Sequence, residues 1–127
     1  MYRGIRAIDH MVITTSDFDA CFHFYAEVLG MEHVIAGGQH AFHFGAQKIN
    51  VHTRPGEFQP AAGNIQSGSQ DFCLITEGDI SDVKEYLEKA GITIIEGPSE
   101  RKGAKGLMDS VYIYDPDGNL VEIAIYR

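Results

Sequence analysis

The chain matches itself. Displaced by 61 residues, His10–Val34 falls on Asp71–Ile95 without a gap; displaced by 70, Ala41–Thr53 falls on Val111–Ile123. The first overlay sets FYAEVLGM (24–31) on EYLEKAGI (85–92), so Tyr25 meets Tyr86, Gly30 meets Gly91 and His10 meets Asp71. The second sets FHF (42–44) on YIY (112–114) and His52 on Glu122. Self-similarity at a fixed offset is the mark of a structural repeat. Each half is too short to build a strong core by itself, so a single domain of two like modules, about 8–53 and 70–126, is expected.

Both halves read as β-α-β-β-β. In the first, residues 8–14 (IDHMVIT) form a strand, and Ser16 with Asp19 three residues later has the pattern of a capping box. Phe18, Cys21, Phe22, Tyr25, Val28 and Leu29 then recur at the spacing of one buried helical stripe. Gly30 supplies a left-handed stop. Strands near 31–36, 40–44 and 48–53 follow, with turns at Gly37–Gly38 and over residues 45–48. In the second half, residues 70–76 form a strand and a helix starts at Asp79 or Ser81. Its inner stripe is Val83, Tyr86, Leu87 and Ala90, and it ends at Gly91. A strand near 92–96 and a Gly-rich loop, GPSERKGAKGLM (97–108), come next. Strands at 109–114 and 119–126 close the chain around Asp115-Pro-Asp-Gly118, a type I turn signature. The linker 54–69 has no periodicity.

Composition narrows the function classes. A chain of 127 residues with 44% hydrophobic and 22% charged residues reads as an ordinary water-soluble globule. No apolar run nears the roughly 20 residues of a membrane span, and the N-terminal stretch lacks the pattern of a secretory signal, so a cytoplasmic protein with no membrane partner is expected. A net charge of −8 argues against nucleic acid. Cys21 and Cys73 sit in apolar segments and read as buried small hydrophobes, not as a disulfide.

Strand alternation sorts the polar residues. Met11 and Ile13, Ile49 and Val51, Phe72 and Leu74, and Val121, Ile123 and Ile125 point toward the helices. His10, Asn50, His52, Asp71 and Glu122 point the other way. A buried carboxylate such as Glu122 needs a cation or strong hydrogen bonds. His23, His33 and His40 read as surface or structural. His43, between Phe42 and Phe44, is the one further histidine with the parity to join the helix-free face.

The ordered set IDHMVIT, FYAEVLGM, QKINVH and YDPDGNLVEI resembles the vicinal oxygen chelate superfamily, which includes glyoxalase I, bleomycin- and fosfomycin-resistance proteins and extradiol dioxygenases. The resemblance spans roughly 8–126 and is nearest to the small virulence-associated glyoxalase-like proteins. It implies an α+β fold of two βαβββ modules forming a cup-shaped mixed sheet around a divalent metal (Fe, Mn, Ni, Co or Zn). By position, His10 and Glu122 are the first-strand and last-strand ligands. Many members carry His where this chain has Asp71, so His52 is the candidate third ligand, with Asn50 its rival. Asp71 is then a fourth ligand or an orienting acceptor. The implied function is a metal-dependent lyase or dioxygenase acting on a small oxygen-rich substrate, with Glu122, or failing it Asp71, as base. The alternative is a metal-free or vestigial small-molecule binder of the drug-resistance kind. A homodimer is expected. The 97–108 loop, carrying Arg101, Lys102 and Lys105, reads either as a lid for an anionic substrate or as an inert solvated loop. Arg101, Lys105 and Asn50 are the candidate substrate contacts.

Overall fold

The computed structural model describes residues 1–127 and divides them into two compact units, Met1–Gln66 and Ser67–Arg127. Each is a βαβββ module with its own four-stranded mixed sheet, as the repeat predicts. The first holds β1 (His10–Thr14), α1 (Phe18–Phe22), β2 (Glu32–Ala36), β3 (Gln39–Phe44) and β4 (Gln47–His52). The second holds β5 (Asp71–Ile75), α2 (Ile80–Lys89), β6 (Glu96–Gly103), β7 (Gly106–Tyr114) and β8 (Leu120–Tyr126). The spatial orders are β1-β4-β3-β2 and β5-β8-β7-β6, the same path traced twice. In each sheet the module's first and last strands pair in parallel and the other pairs are antiparallel.

Helix α1 is capped by Asp17, whose carboxylate accepts from the Ala20 N–H at 3.2 Å, and not by Ser16. A carboxylate there satisfies a donor that the first turn cannot pair internally and complements the helix dipole. After Phe22 the helix widens into a π-helical segment, His23–Val28. Its mark is the Leu29 N–H donating to the Phe24 carbonyl, five residues back. The wider turn broadens the buried stripe. Phe24, off the expected stripe, joins Cys21, Tyr25 and Val28 in the core against Phe42, Ile49 and Val51. Each such side chain contributes about 1.5–3 kcal/mol by leaving water. Gly30 terminates the segment at φ 73°, where a Cβ would be strained.

Helix α2 is capped by Asp79, which accepts from the Ser81 N–H at 2.9 Å. Of its expected inner stripe only Leu87 is fully buried; Tyr86 is exposed. The second core is carried by Val111, Ile113, Val121 and Ile123 from β7 and β8. Between these strands the Asp115–Gly118 turn forms as expected, with the Gly118 N–H donating to the Asp115 carbonyl at 3.0 Å. The buried Asp115 carboxylate also accepts from the Asp117 N–H, the Asn119 N–H and the Asn119 side-chain amide. The Asn119 side-chain oxygen accepts in turn from the Gln70 N–H at 2.8 Å. This motif is a structural clamp that sets β8 beside β5.

The 97–108 segment is not a loop. Residues 92–95 form no strand; β6 begins at Glu96 and runs into a two-residue turn, Ala104–Lys105, to β7. The hairpin pairs Arg101 with Met108 and Gly103 with Gly106. Exposure alternates residue by residue along Glu96–Gly103, as on an edge strand with one solvated face, and Gly97, Gly103 and Gly106 are strand residues. No helix is long and apolar enough to cross a membrane.

Candidate functional site

Register decides which side chains meet on the helix-free face of each sheet. In the second sheet Cys73, Glu122 and Tyr112 lie in one row across β5, β8 and β7, with Glu96 of β6 beside Tyr112. A β-bulge between Glu96 and Ser99 brings Ser99 opposite Ser110 in the next row. The Ser110 hydroxyl, fully buried, donates to a Glu122 carboxylate oxygen at 2.7 Å. Arg101 donates through Nε to the Tyr112 hydroxyl and through a terminal nitrogen to Glu96, both at 2.9 Å. Its guanidinium carbon also lies 5.3 Å from the Tyr112 ring centroid. The Ser99 Oγ is buried beside this group without a hydrogen-bond partner.

The charges are linked. Partial burial, then the charge of Glu122 and its hydrogen bond, push the Cys73 thiol up to about 11. Burial is also the main cause that raises the Tyr112 hydroxyl, with the Arg101 hydrogen bond opposing it and Glu122 adding to it. Hydrogen bonds to Tyr112 and then Glu96 hold Arg101 firmly protonated. Cys73 is exposed, not buried as its apolar neighbours suggested, because it shares the parity of Glu122. Asp71 sits on the same face, opposite Leu120 and one step of the alternation from Glu122. Arg101, on neither a lid nor a solvated loop, is anchored across the sheet by Tyr112 and Glu96, while Lys102 and Lys105 are exposed on the hairpin.

In the first sheet the corresponding face carries His10, Val12 and Thr14 of β1, paired with Lys48, Asn50 and His52 of β4. His10 therefore lies at one end of the strand pair and His52 at the other. Four residues at about 3.3 Å each set them roughly 13 Å apart. Side chains stand perpendicular to a sheet, so two imidazoles at that spacing cannot share a metal bonded at about 2 Å. Each also has another partner: His10 Nδ1 lies 2.8 Å from the Asp9 carboxylate, and His52 Nε2 lies 3.4 Å from the Gln39 amide nitrogen. The His10 contact is the main cause lowering the Asp9 carboxyl. Throughout the chain no three His, Cys, Asp or Glu side chains are grouped so as to hold a metal ion. The expectation of a divalent metal cofactor is thereby overturned. The donors His10, His52, Asp71 and Glu122 share a face parity within their strands but do not form a ligand set.

The remaining histidines sort cleanly. His33 and His40 face the helix, stacked at 5.1 Å with Nε2 of one 2.9 Å from Nδ1 of the other, and both contact Phe18. His23 is exposed beside Glu27. His43 has the helix-free parity, opposite Lys48 and Glu32. Sequence reasoning placed neither Ser110 nor Tyr112 at the site. The repeat could not have found them: its ungapped overlay sets Tyr112 on Phe42 and Ser110 on His40, which face the helix in the first sheet, and only the β7–β8 register puts both on the face of Glu122.

Two like modules, each a four-stranded mixed sheet with its first and last strands parallel, define the glyoxalase class of fold. The chain belongs to the Glyoxalase/Bleomycin resistance protein/Dioxygenase superfamily, whose profile matches residues 7–123. It is 50% identical over 123 residues to virulence protein STM3117 of Salmonella typhimurium, covering 96% of this chain and 85% of that protein. It is 44% identical over 125 residues to glyoxalase domain-containing protein RDO1 of Mycosarcoma maydis, covering 98% of this chain and 70% of the other. Among solved structures, an integron cassette protein from the mobile metagenome of V. cholerae superposes with a TM-score of 0.94 at 44% identity, over the full length of both chains.

Proposed function

We propose that this chain is a metal-free small-molecule binding protein of the drug-resistance type, not a metal-dependent enzyme. The observation that carries this reading is the polar row on the second sheet. Glu122 there is held by Ser110 and flanked by Cys73, Tyr112 and the Arg101–Glu96 pair, with no third metal donor beside it. Such a row is a preorganised set of acceptors and donors. Glu122 accepts from a hydroxyl or N–H of the ligand, the Tyr112 hydroxyl and Arg101 meet its oxygens, and Asp71 adds a second acceptor on the same face. A small oxygen-rich molecule matches that pattern. Having its charge already paired with Glu96, Arg101 gives direction more than net attraction, so no anionic group is required.

The test is a ligand panel of sugars, polyols, catechols and hydroxylated antibiotics, followed by thermal shift and calorimetry on protein dialysed against a chelator. Binding is expected in the chelated protein and is expected to fall about tenfold or more in Glu122→Gln, since a hydrogen bond to a charged acceptor contributes about 1.5–3 kcal/mol. Binding seen only after Mn, Ni, Co, Zn or Fe(II) is added would refute the proposal.

A further inference from the structure

The first sheet carries an unexplained polar atom. Asn50 is buried in the middle of β4, 7% exposed, and its side-chain oxygen has no hydrogen-bond partner. Its neighbours across the sheet are Val12 on β1 and Ala41 on β3, neither of which offers a side-chain donor. Buried acceptors are almost always paired, and an orphan is held at a cost unless something else occupies it. Two residues along the strand on the same face lies His52, also 7% exposed. The Gln39 amide nitrogen lies 3.4 Å from His52 Nε2, and in the tautomer that accepts from it the ring offers its proton from Nδ1. The Phe58 ring packs against the His52 imidazole, with centroids 5.1 Å apart and planes at 57°. Thr14, opposite His52 on β1, is buried as well.

We infer that this face is a second recognition subsite, in which Asn50 accepts from the N–H of a planar, uncharged amide or lactam. The spacing supports that chemistry. Alternate residues on a strand are about 6.6 Å apart, which places the Asn50 acceptor and the His52 donor within the span of one bicyclic heterocycle. Phe58 supplies an aromatic surface at the rim. A carboxylate ligand would bring charge against an acceptor, and a ligand without a donor would leave the Asn50 oxygen as it is. A ligand matching both groups presents a donor to Asn50 and an acceptor to His52, as a lactam does with its adjacent N–H and carbonyl. This extends the small-molecule reading above to a ligand class, and it rests on residues of the first unit alone.

The experiment compares 2-quinolone, a planar lactam, with N-methyl-2-quinolone, which has the same ring and carbonyl but no donor. Calorimetry on the intact protein is expected to show the lactam binding at least tenfold tighter, with the Asn50 side-chain amide signal moving in a ¹⁵N-resolved NMR titration. In Asn50→Val that preference is expected to vanish. In Asn50→Asp, which keeps an acceptor oxygen at the same place and serves where the valine variant fails to fold, it is expected to persist. Phe58→Leu is expected to weaken both probes alike. Equal affinity of the two quinolones, absence of binding by both, or a preference retained in Asn50→Val would overturn the subsite. None of those results touches the chelator test of the second sheet, so the two readings fail separately.

Discussion

Replacing Glu122 by Gln should make Cys73 more reactive, and the size of the change follows from what surrounds the thiol. Partial burial comes first among the causes that push it up to about 11, and the carboxylate of Glu122 adds to it by charge and by hydrogen bond. At pH 8 a thiol of that kind is about 0.1% thiolate, against about 10% for one titrating near 9, a deficit of roughly a hundredfold. The rarer thiolate is the stronger nucleophile, and a Brønsted slope of about 0.4–0.5 returns roughly six- to tenfold of that. Native Cys73 should therefore alkylate about ten times more slowly than an unstructured cysteine peptide, despite its exposure. Glu122→Gln removes the charge but leaves the burial, so it should recover several-fold of the rate and no more. The assay is iodoacetamide labelling from pH 7 to 10, read by mass spectrometry of the Cys73 peptide, with Cys21, fully buried, as the internal control. The sign is fixed: the folded state keeps the proton longer than the unfolded state, so stability should fall as pH rises from about 9 toward 11. Labelling of the native protein at the peptide rate, or a Glu122→Gln variant with unchanged labelling, would refute the placement of Cys73 beside Glu122.

Three further outcomes are expected. Asn119→Ala should cost about 2–5 kcal/mol in urea unfolding with an unchanged m-value, because it strips a bond from the buried Asp115 carboxylate and another from the Gln70 N–H. The His33 imidazole is pushed down by burial and then by His40. Its folded form therefore resists a proton that the unfolded chain accepts, and the melting temperature should fall as pH drops below about 6.5, with His33→Phe flattening that slope. The homodimer that the family resemblance implies is tested by light scattering at micromolar concentration, which should return twice the chain mass; a strict monomer would refute it.

Most of the fold was legible because two independent signals agreed. Period-two alternation and period-3.6 stripes marked the elements, and the internal overlay required the second half to copy the first. The errors came where chemistry is not periodic. Ser16 and Asp17 both suit a helix cap, and only local geometry selects the aspartate. The π-helical segment has no composition of its own, so the burial of Phe24 was invisible. The 97–108 segment looked like a loop because glycine marks turns. It is in fact a hairpin edge whose exposure alternates along the strand, and Gly97 sits there at φ 104° because a Cβ would lie 2.3 Å from the Ser110 carbonyl oxygen.

The site was legible only to the level of parity. Alternation says that His10, His52, Asp71 and Glu122 face away from the helices, but two residues can share a face and stand at opposite ends of it. Register is the missing quantity: His10 pairs with Lys48, and His52 with Thr14. The repeat compounded the error, because overlaying His52 on Glu122 shows that they hold equivalent places in two sheets, not that they meet. What equivalence does imply is narrower. Asn50 and His52 in the first module stand where Leu120 and Glu122 stand in the second, so the same strand positions present a neutral amide and imidazole in one sheet and a carboxylate in the other. The two modules keep one scaffold but carry different polar chemistry at equivalent strand positions, so equivalence in the repeat cannot by itself assemble a ligand set.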